Sequence, residues 1–230
     1  MRRAILFDLD DTLYPERQFV LGGFRAVAQM LCPTLGVDLS GAFVGLVKRG
    51  TRTGIFERVL QPYMPNLTEL DVKGLVDVYR RHAPRLSYFP DALECLSTLR
   101  SQVAVGLVTD GYAEVQRRKI EALSLDTYVD AIVLSDELGR EYWKPHPRPF
   151  EECLRRLAVS ASRAVYVADN PYKDFLGPRQ LGMATVRVRR PGTLHVEARL
   201  DRDHEADRQI TSLRDLAALM HEPVRVSPAL

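Results

Sequence analysis

The sequence is short of the features that would mark a secreted, membrane or nucleic-acid-binding protein. Its three cysteines, Cys32, Cys95 and Cys153, lie far apart with no CxxC spacing, which reads as free thiols buried in apolar helices and not as a disulfide framework. No uncharged apolar run approaches the length of a transmembrane helix, so a membrane protein is not expected. Met1-Arg2-Arg3 leads straight into a strand pattern without the apolar stretch of a secretion signal, and the expected location is cytoplasmic. The sequon Asn66-Leu67-Thr68 then carries no meaning. Neither charge dominates, with 32 Lys plus Arg against 30 Asp plus Glu, and the net +2 gives no electrostatic case for nucleic acid or an anionic membrane. GxxxxGK[ST] and GxSxG are both missing, which disfavours a P-loop kinase and a serine hydrolase. His82, His146, His195, His204 and His221 form no ligand spacing and read as surface residues. There are no repeats and no low-complexity tail.

What is present is a chain of 230 residues, 46% hydrophobic, enough for one large domain or one domain carrying an insertion. Its organising stretch is Ala4-Ile5-Leu6-Phe7-Asp8-Leu9-Asp10-Asp11-Thr12. Four apolar residues without alternation read as a parallel strand buried on both faces, and the strand stops abruptly in three carboxylates. Side chains alternate along a strand, so Asp8 and Asp10 project the same way if the extended geometry persists. Such a pair is tolerable with a cation between them, with one proton retained, or where the chain turns into water.

After Thr12 the pattern becomes helical for about seventy residues. Phe19, Val20, Phe24, Val27, Ala28 and Leu31 make an apolar stripe that Cys32-Pro33 should end. Further helices are expected over 40–48 and 55–60 and behind the Thr68/Asp71 capping box, with the polar turn 50–54 carrying Arg52. This gives a helical subdomain over 14–87 inserted into a core made of 1–13 and 88–230. From Phe89 helices and strands alternate, the signature of parallel β-α-β units. Asp91 is expected to cap the first helix, and the strands end in Thr109-Asp110-Gly111, Leu134 and Asp169-Asn170, with a fifth over 185–188. Arg187, Arg189 and Arg190 read as solvent-facing residues at a strand edge and its loop. The segment 191–207 reads as a surface excursion, and a helix over 213–220 closes the fold.

In a parallel sheet all C-terminal strand ends share one edge, where open α/β folds bind ligands. Asp8, Asp10, Thr109, Asp169 and Asp174 are delivered there, with Lys144 opening the helix before the fourth strand. Carboxylates grouped without His or Cys favour a hard divalent ion such as Mg²⁺ over Zn²⁺. Hydroxyl, ammonium and metal together suit a phosphoryl group.

Asp8-Leu9-Asp10-Asp11-Thr12, Thr109-Asp110-Gly111, Lys144-Pro145-His146-Pro147 and Asp169-Asn170-Pro171-Tyr172-Lys173-Asp174 together resemble, in order and spacing, the four motifs of the haloacid dehalogenase superfamily. The helical insertion resembles that superfamily's type I cap. The resemblance implies a Rossmann-like α/β core with parallel strand order 3-2-1-4-5 and a Mg²⁺-dependent phosphatase of a small-molecule phosphate ester. It implies Asp8 as nucleophile and Asp10 as acid and base, Thr109 and the following backbone N–H groups on the phosphoryl oxygens, and Lys144 as neutralising cation. Asp8, the carbonyl of Asp10 and Asp169 would hold Mg²⁺, supported by Asp174. Asp110 and Gly111 complete the phosphate loop, and Arg52 in the insertion is a candidate substrate contact, as are Tyr14 and Arg17 beside the first motif. The second aspartate, Asp10, favours phosphoester over carbon–halogen cleavage, because the dehalogenases proper lack it.

Several positions depart from the family pattern. Asp110 stands where Asn is more common and could instead cap the following helix, and the approach to Lys144, with Trp143 in it, is about two residues long in excess. Ala168 and Pro178 replace usual small residues. A phosphomutase of the same superfamily and a catalytically idle binding protein are the alternative readings. Substrate identity and oligomeric state are not encoded in these motifs.

Overall fold

The computed structural model describes residues 3–216. The chain divides into two compact units, Met1–Pro15 with Ser87–Leu230, and Glu16–Leu86.

The first unit is built on a parallel six-stranded sheet. Its strands are β1 (Ala4–Phe7), β2 (Ala104–Thr109), β3 (Ala131–Leu134), β4 (Ala164–Ala168), β5 (Ala184–Val188) and β6 (Arg208–Ile210), in the order β3-β2-β1-β4-β5-β6. β1 is central and wholly buried, as an unalternating apolar run requires when helices cover both faces. Phe7 registers with Leu107 on one side and Val167 on the other, so the residues just beyond, at 8, 109 and 169, leave the sheet at the same edge. The order differs from the expected 3-2-1-4-5 only by β6, which is too short and too exposed on two of its three residues to have an apolar signature.

The helices of this unit are α5 (Pro90–Leu99), α6 (Ala113–Ala122), α7 (Arg148–Leu157) and α8 (Leu176–Gln180). One layer of the core joins Leu6, Val108, Phe150, Cys153, Leu154, Tyr166 and Phe175. Gly106 on β2 is where α7 comes closest, because a Cβ there would meet Cys153 Sγ at 2.6 Å. Cys153 is fully buried, Cys32 and Cys95 are partly buried, and all three are free thiols.

The second unit holds α1 (Glu16–Leu35), α2 (Ser40–Lys48), α3 (Ile55–Leu60) and α4 (Glu69–Arg81) around its own core of Phe24, Val27, Phe43, Phe56, Leu60 and Leu75. α4 starts in the full Thr68/Asp71 capping box. Pro33 does not end α1, which runs through it to Leu35. In the last turn a proline removes only one intrahelical bond, and the Gly36 N–H bonds to the Cys32 carbonyl beyond it. His82 is buried against Phe19 and Tyr79 and is no surface residue. Among the described residues no helix is long and apolar enough to cross a membrane.

The tail of the first unit corrects two further expectations. Arg187 and Arg190 are buried, at 1% and 5% exposure. The Arg187 guanidinium donates to the carbonyls of Asp169, His195 and Ala198 and pairs with Glu205, so the segment 191–207 supplies acceptors to a buried cation. Arg190 forks onto Asp91 at 2.9 and 3.0 Å and donates twice to the Thr12 carbonyl. Asp91 therefore does not cap α5. It accepts from Arg190, from Ser212 and from the Leu213 N–H, a long-range engagement that local sequence does not reveal. A short 3-10 turn covers Leu213–Asp215, and 217–220 of the expected closing helix lie outside the described residues.

Candidate active site

The site stands on the edge where β1, β2 and β4 end. β1 hands over to Asp8, whose N–H is still fixed to the Val167 carbonyl at 2.9 Å. Three residues later Asp11 turns the chain with φ at 53°, a left-handed conformation that aspartate tolerates better than most residues. Asp8 is thus held rigidly while the chain after it bends away.

Asp8, Asp169 and Asp174 are all buried, and one carboxylate oxygen from each lies within 4.8 Å of the others. Lys144 is inserted between two of them. Its Nζ donates to Asp8 Oδ1 at 2.6 Å and to Asp174 Oδ1 at 2.7 Å, and it meets the Tyr166 hydroxyl at 3.0 Å. Asp174 also accepts from Tyr166 and from the Asn170 N–H, so it braces the loop after β4 and does not cap α8, whose N-cap is Phe175.

One ammonium does not neutralise three carboxylates. Burial pushes Asp8 up to about 6, with Lys144 opposing and Asp174 adding to the rise. Asp169 lies well above the usual carboxylate range, through burial first and then the charges of Asp174 and Asp8. Asp169 Oδ2 is buried without a hydrogen-bond partner. An orphaned oxygen among crowded carboxylates, with no His or Cys in the group, fits a hard oxygen-seeking dication.

A carboxyl whose folded pKa exceeds its unfolded value near 3.8 binds protons in the native state that the unfolded chain releases. Its stabilising contribution is complete below that unfolded value and is lost as pH rises through about 6. In metal-free protein, Asp8→Asn is therefore expected to raise the melting temperature more at pH 7 than at pH 4.5. Thermal scans in chelator check this, and an equal shift at the two pH values would contradict the protonation argument.

The Asp10 side chain is engaged away from the three grouped carboxylates, which leaves its main-chain carbonyl, the atom expected to face the ion. Its carboxylate faces α6, where Lys119 Nζ donates to both oxygens at 2.7 and 2.8 Å, the Tyr14 hydroxyl bonds to Oδ1 and Gln116 Nε2 bonds to Oδ2. Although burial acts the other way, Lys119, Tyr14 and Gln116 hold this carboxyl below its ordinary range. What Asp10 can offer an ion is its main-chain carbonyl, not its side chain. Gln116 also donates to Thr109 Oγ1 at 2.6 Å, tying the end of β2 to Asp10. Gly111, with φ at 121°, sits against Gln116, and a Cβ there would touch the amide.

Asp110 does not cap α6, since the N-cap is Tyr112 and no side chain serves it. Instead Asp110 Oδ1 accepts from the Lys144 N–H at 3.2 Å and Oδ2 pairs with Lys173 at 3.7 Å. The long approach to Lys144 forms a 3-10 turn over Arg140–Tyr142, and Trp143 packs edge-on against Tyr112. Arg52 is exposed in the turn after α2, and Arg17 is exposed at the start of α1, both in the helical unit.

Sequence reasoning missed Gln116, Lys119, Tyr166 and Lys173. A signal for two of them existed. Gln116, Lys119 and Ile120 share one helical face, and polar residues on a face that must be buried ask for buried partners.

Comparison with known proteins gives a consistent picture. Residues 5–188 match the model of a family described as haloacid dehalogenase-like hydrolase. The chain is 33% identical to a glyceraldehyde 3-phosphate phosphatase of Methanopyrus kandleri, covering 96% of this chain and 98% of that one. It is 32% identical to a ribulose-1,5-bisphosphate 5-phosphatase of Halopiger xanaduensis, covering 96% and 100%. Among solved structures, a 2-haloacid dehalogenase from Pseudomonas syringae superposes with a TM-score of 0.65 at 26% identity, covering 96% and 98%.

Proposed function

The chain belongs to the haloacid dehalogenase-like hydrolase family, and from that premise we propose that it is a Mg²⁺-dependent phosphatase of small phosphorylated sugars or sugar acids and aldehydes, working in the cytoplasm. The relatives of matching length are named for glyceraldehyde 3-phosphate and ribulose 1,5-bisphosphate. The observation that carries the reading is the buried group of Asp8, Asp169 and Asp174 with Lys144 between Asp8 and Asp174.

Asp8 and Asp169, with the Asp10 carbonyl, would hold the ion, and Asp174 supports them through Lys144, Tyr166 and the Asn170 N–H. When bound, Mg²⁺ neutralises the crowded carboxylates and draws charge from the phosphoryl oxygens. Asp8 attacks phosphorus, the ester oxygen departs, and an aspartyl phosphate forms. Asp10 gives a proton to the departing alkoxide and then takes one from the water that hydrolyses the intermediate. Lys119 and Tyr14 favour its ionised form, which suits the second of these steps, and the first requires that Asp10 take up a proton from solvent before the alkoxide departs. Thr109, oriented by Gln116, and the N–H groups after it meet phosphoryl oxygens. The helical unit serves as a cap that selects the leaving group, with Arg52 its candidate contact.

Release of inorganic phosphate from a panel including glyceraldehyde 3-phosphate, ribulose 1,5-bisphosphate, nucleoside monophosphates and phosphoserine tests the proposal. Mg²⁺-dependent release is expected, greatest on three- to five-carbon sugar phosphates. No release from any ester would sink it, and transfer to a second sugar hydroxyl without phosphate release would favour a mutase.

A further inference from the structure

Segment 191–207 contains neither helix nor strand, yet it is joined to the site's edge at two points. The first is Arg187, which registers with Ala168, the residue before Asp169. Its guanidinium is buried and reaches in two directions. Nε donates to the Asp169 carbonyl at 3.2 Å, while Nη1 and Nη2 donate to the Ala198 carbonyl at 2.9 Å, the His195 carbonyl at 2.6 Å and Glu205 Oε1 at 2.6 Å. The second is the His195 ring, which packs edge-on against Tyr172 in the loop after β4, with 5.6 Å between ring centroids. These contacts close a circuit. It runs from Asp169 through Arg187 to His195, and from the His195 ring through Tyr172 back along the chain to Asp169. Asp169 Oδ2 has no hydrogen-bond partner, so its placement depends on how firmly the main chain beneath it is held.

We propose that Arg187 is a positioning residue for the ion site, holding the Asp169 main chain against segment 191–207 so that Asp169 presents its carboxylate to Mg²⁺. This rests on the reading of Asp8 and Asp169 as ion ligands and adds to that site an arginine and a segment that do not themselves bind the ion. Arg187 donates to the Asp169 carbonyl and not to its carboxylate, so the bond fixes the main chain and leaves the side-chain oxygens to the ion. Glu205 neutralises the guanidinium, which would otherwise stand as a bare cation near a dication. Lysine is no substitute here, because a single ammonium nitrogen cannot span the Asp169 carbonyl on one side and three acceptors on the other. The coupling is reciprocal: an ordered segment favours the ion, and the ion favours order in the segment.

The experiment measures Mg²⁺ binding to the full chain by calorimetry, without substrate, and amide hydrogen exchange of the parent with and without Mg²⁺. Arg187→Lys keeps the charge, so a change in affinity reports placement of Asp169 and not the field at the site. It should weaken Mg²⁺ by at least about tenfold, as loss of a partner behind a ligating residue does. Segment 191–207 offers amides to follow, since the Ala198 and Glu205 N–H groups bond to the His195 and Asp201 carbonyls at 3.0 and 3.1 Å. In the parent, Mg²⁺ should slow their exchange by at least about threefold, along with that of the loop 169–174. If Arg187 only stabilises the tail of the fold, Arg187→Lys lowers the melting temperature in chelator but leaves Mg²⁺ affinity within about twofold of the parent, and the assignment is wrong. Should the variant not fold, exchange in the parent decides, and slowing confined to 169–174 also overturns it. Either result leaves the phosphatase reading standing. A parent protein that binds no Mg²⁺ overturns both.

Discussion

Asp8→Asn should lower phosphate release by more than about a thousandfold while leaving the fold intact. The substitution keeps the shape of the side chain and removes the anionic oxygen that attacks phosphorus, and no neighbouring group is placed to replace it. Asp174 is bound to Lys144, Tyr166 and the Asn170 N–H, Asp169 is the carboxyl read as an ion ligand, and Asp10 is turned toward Lys119. Stability should not fall, because the change relieves repulsion among three buried carboxylates. Turnover of an aryl phosphate in Mg²⁺, with circular dichroism as a fold control, decides it. Activity within tenfold of the parent would remove Asp8 from the nucleophile role.

Lys144→Met should have the largest effect on stability. The lysine is the only cation in hydrogen-bond contact with Asp8 and Asp174 among the described residues, and both pairs are buried. Removing one member of a buried ion pair leaves its partner charged and desolvated, which costs about 3–5 kcal/mol. Methionine fills similar volume, so little of this loss comes from a cavity. Two dependences identify the cause. The loss should shrink at pH 5, where Asp8, pushed up to about 6, takes up a proton, and it should shrink when Mg²⁺ is added at pH 7. Urea unfolding with and without Mg²⁺ measures both. A variant within about 1 kcal/mol of the parent in metal-free buffer at pH 7 would mean that Lys144 does not carry the charge balance assigned to it.

Much of this site was legible before any coordinates. Unalternating apolar runs ending in Asp8, Thr109 and Asp169 are a local pattern, and parallel sheets bring all such ends to one edge, so residues 8, 109 and 169 had to converge. Lys144 followed from the ordered motifs. The helical insertion was readable because its stripes and its Thr68/Asp71 box are periodic over a few residues.

What the sequence alone determined, then, is the set of side chains delivered to the sheet edge, since delivery depends on strand and helix periods that any ten-residue window contains. Only the tertiary structure decided how those side chains divide the available donors and charges. That Asp10 would turn to Lys119, that Asp91 would pair with Arg190, and that Arg187 would be buried under carbonyls of 191–207 all depend on partners 8 to 109 residues away. Buried charges must find partners wherever the fold brings them, and no local pattern records which partner is near. Lys144 and Lys173 look alike as letters. They differ because one is enclosed by three oxygens and the other is partly exposed beside Asp110 at 3.7 Å.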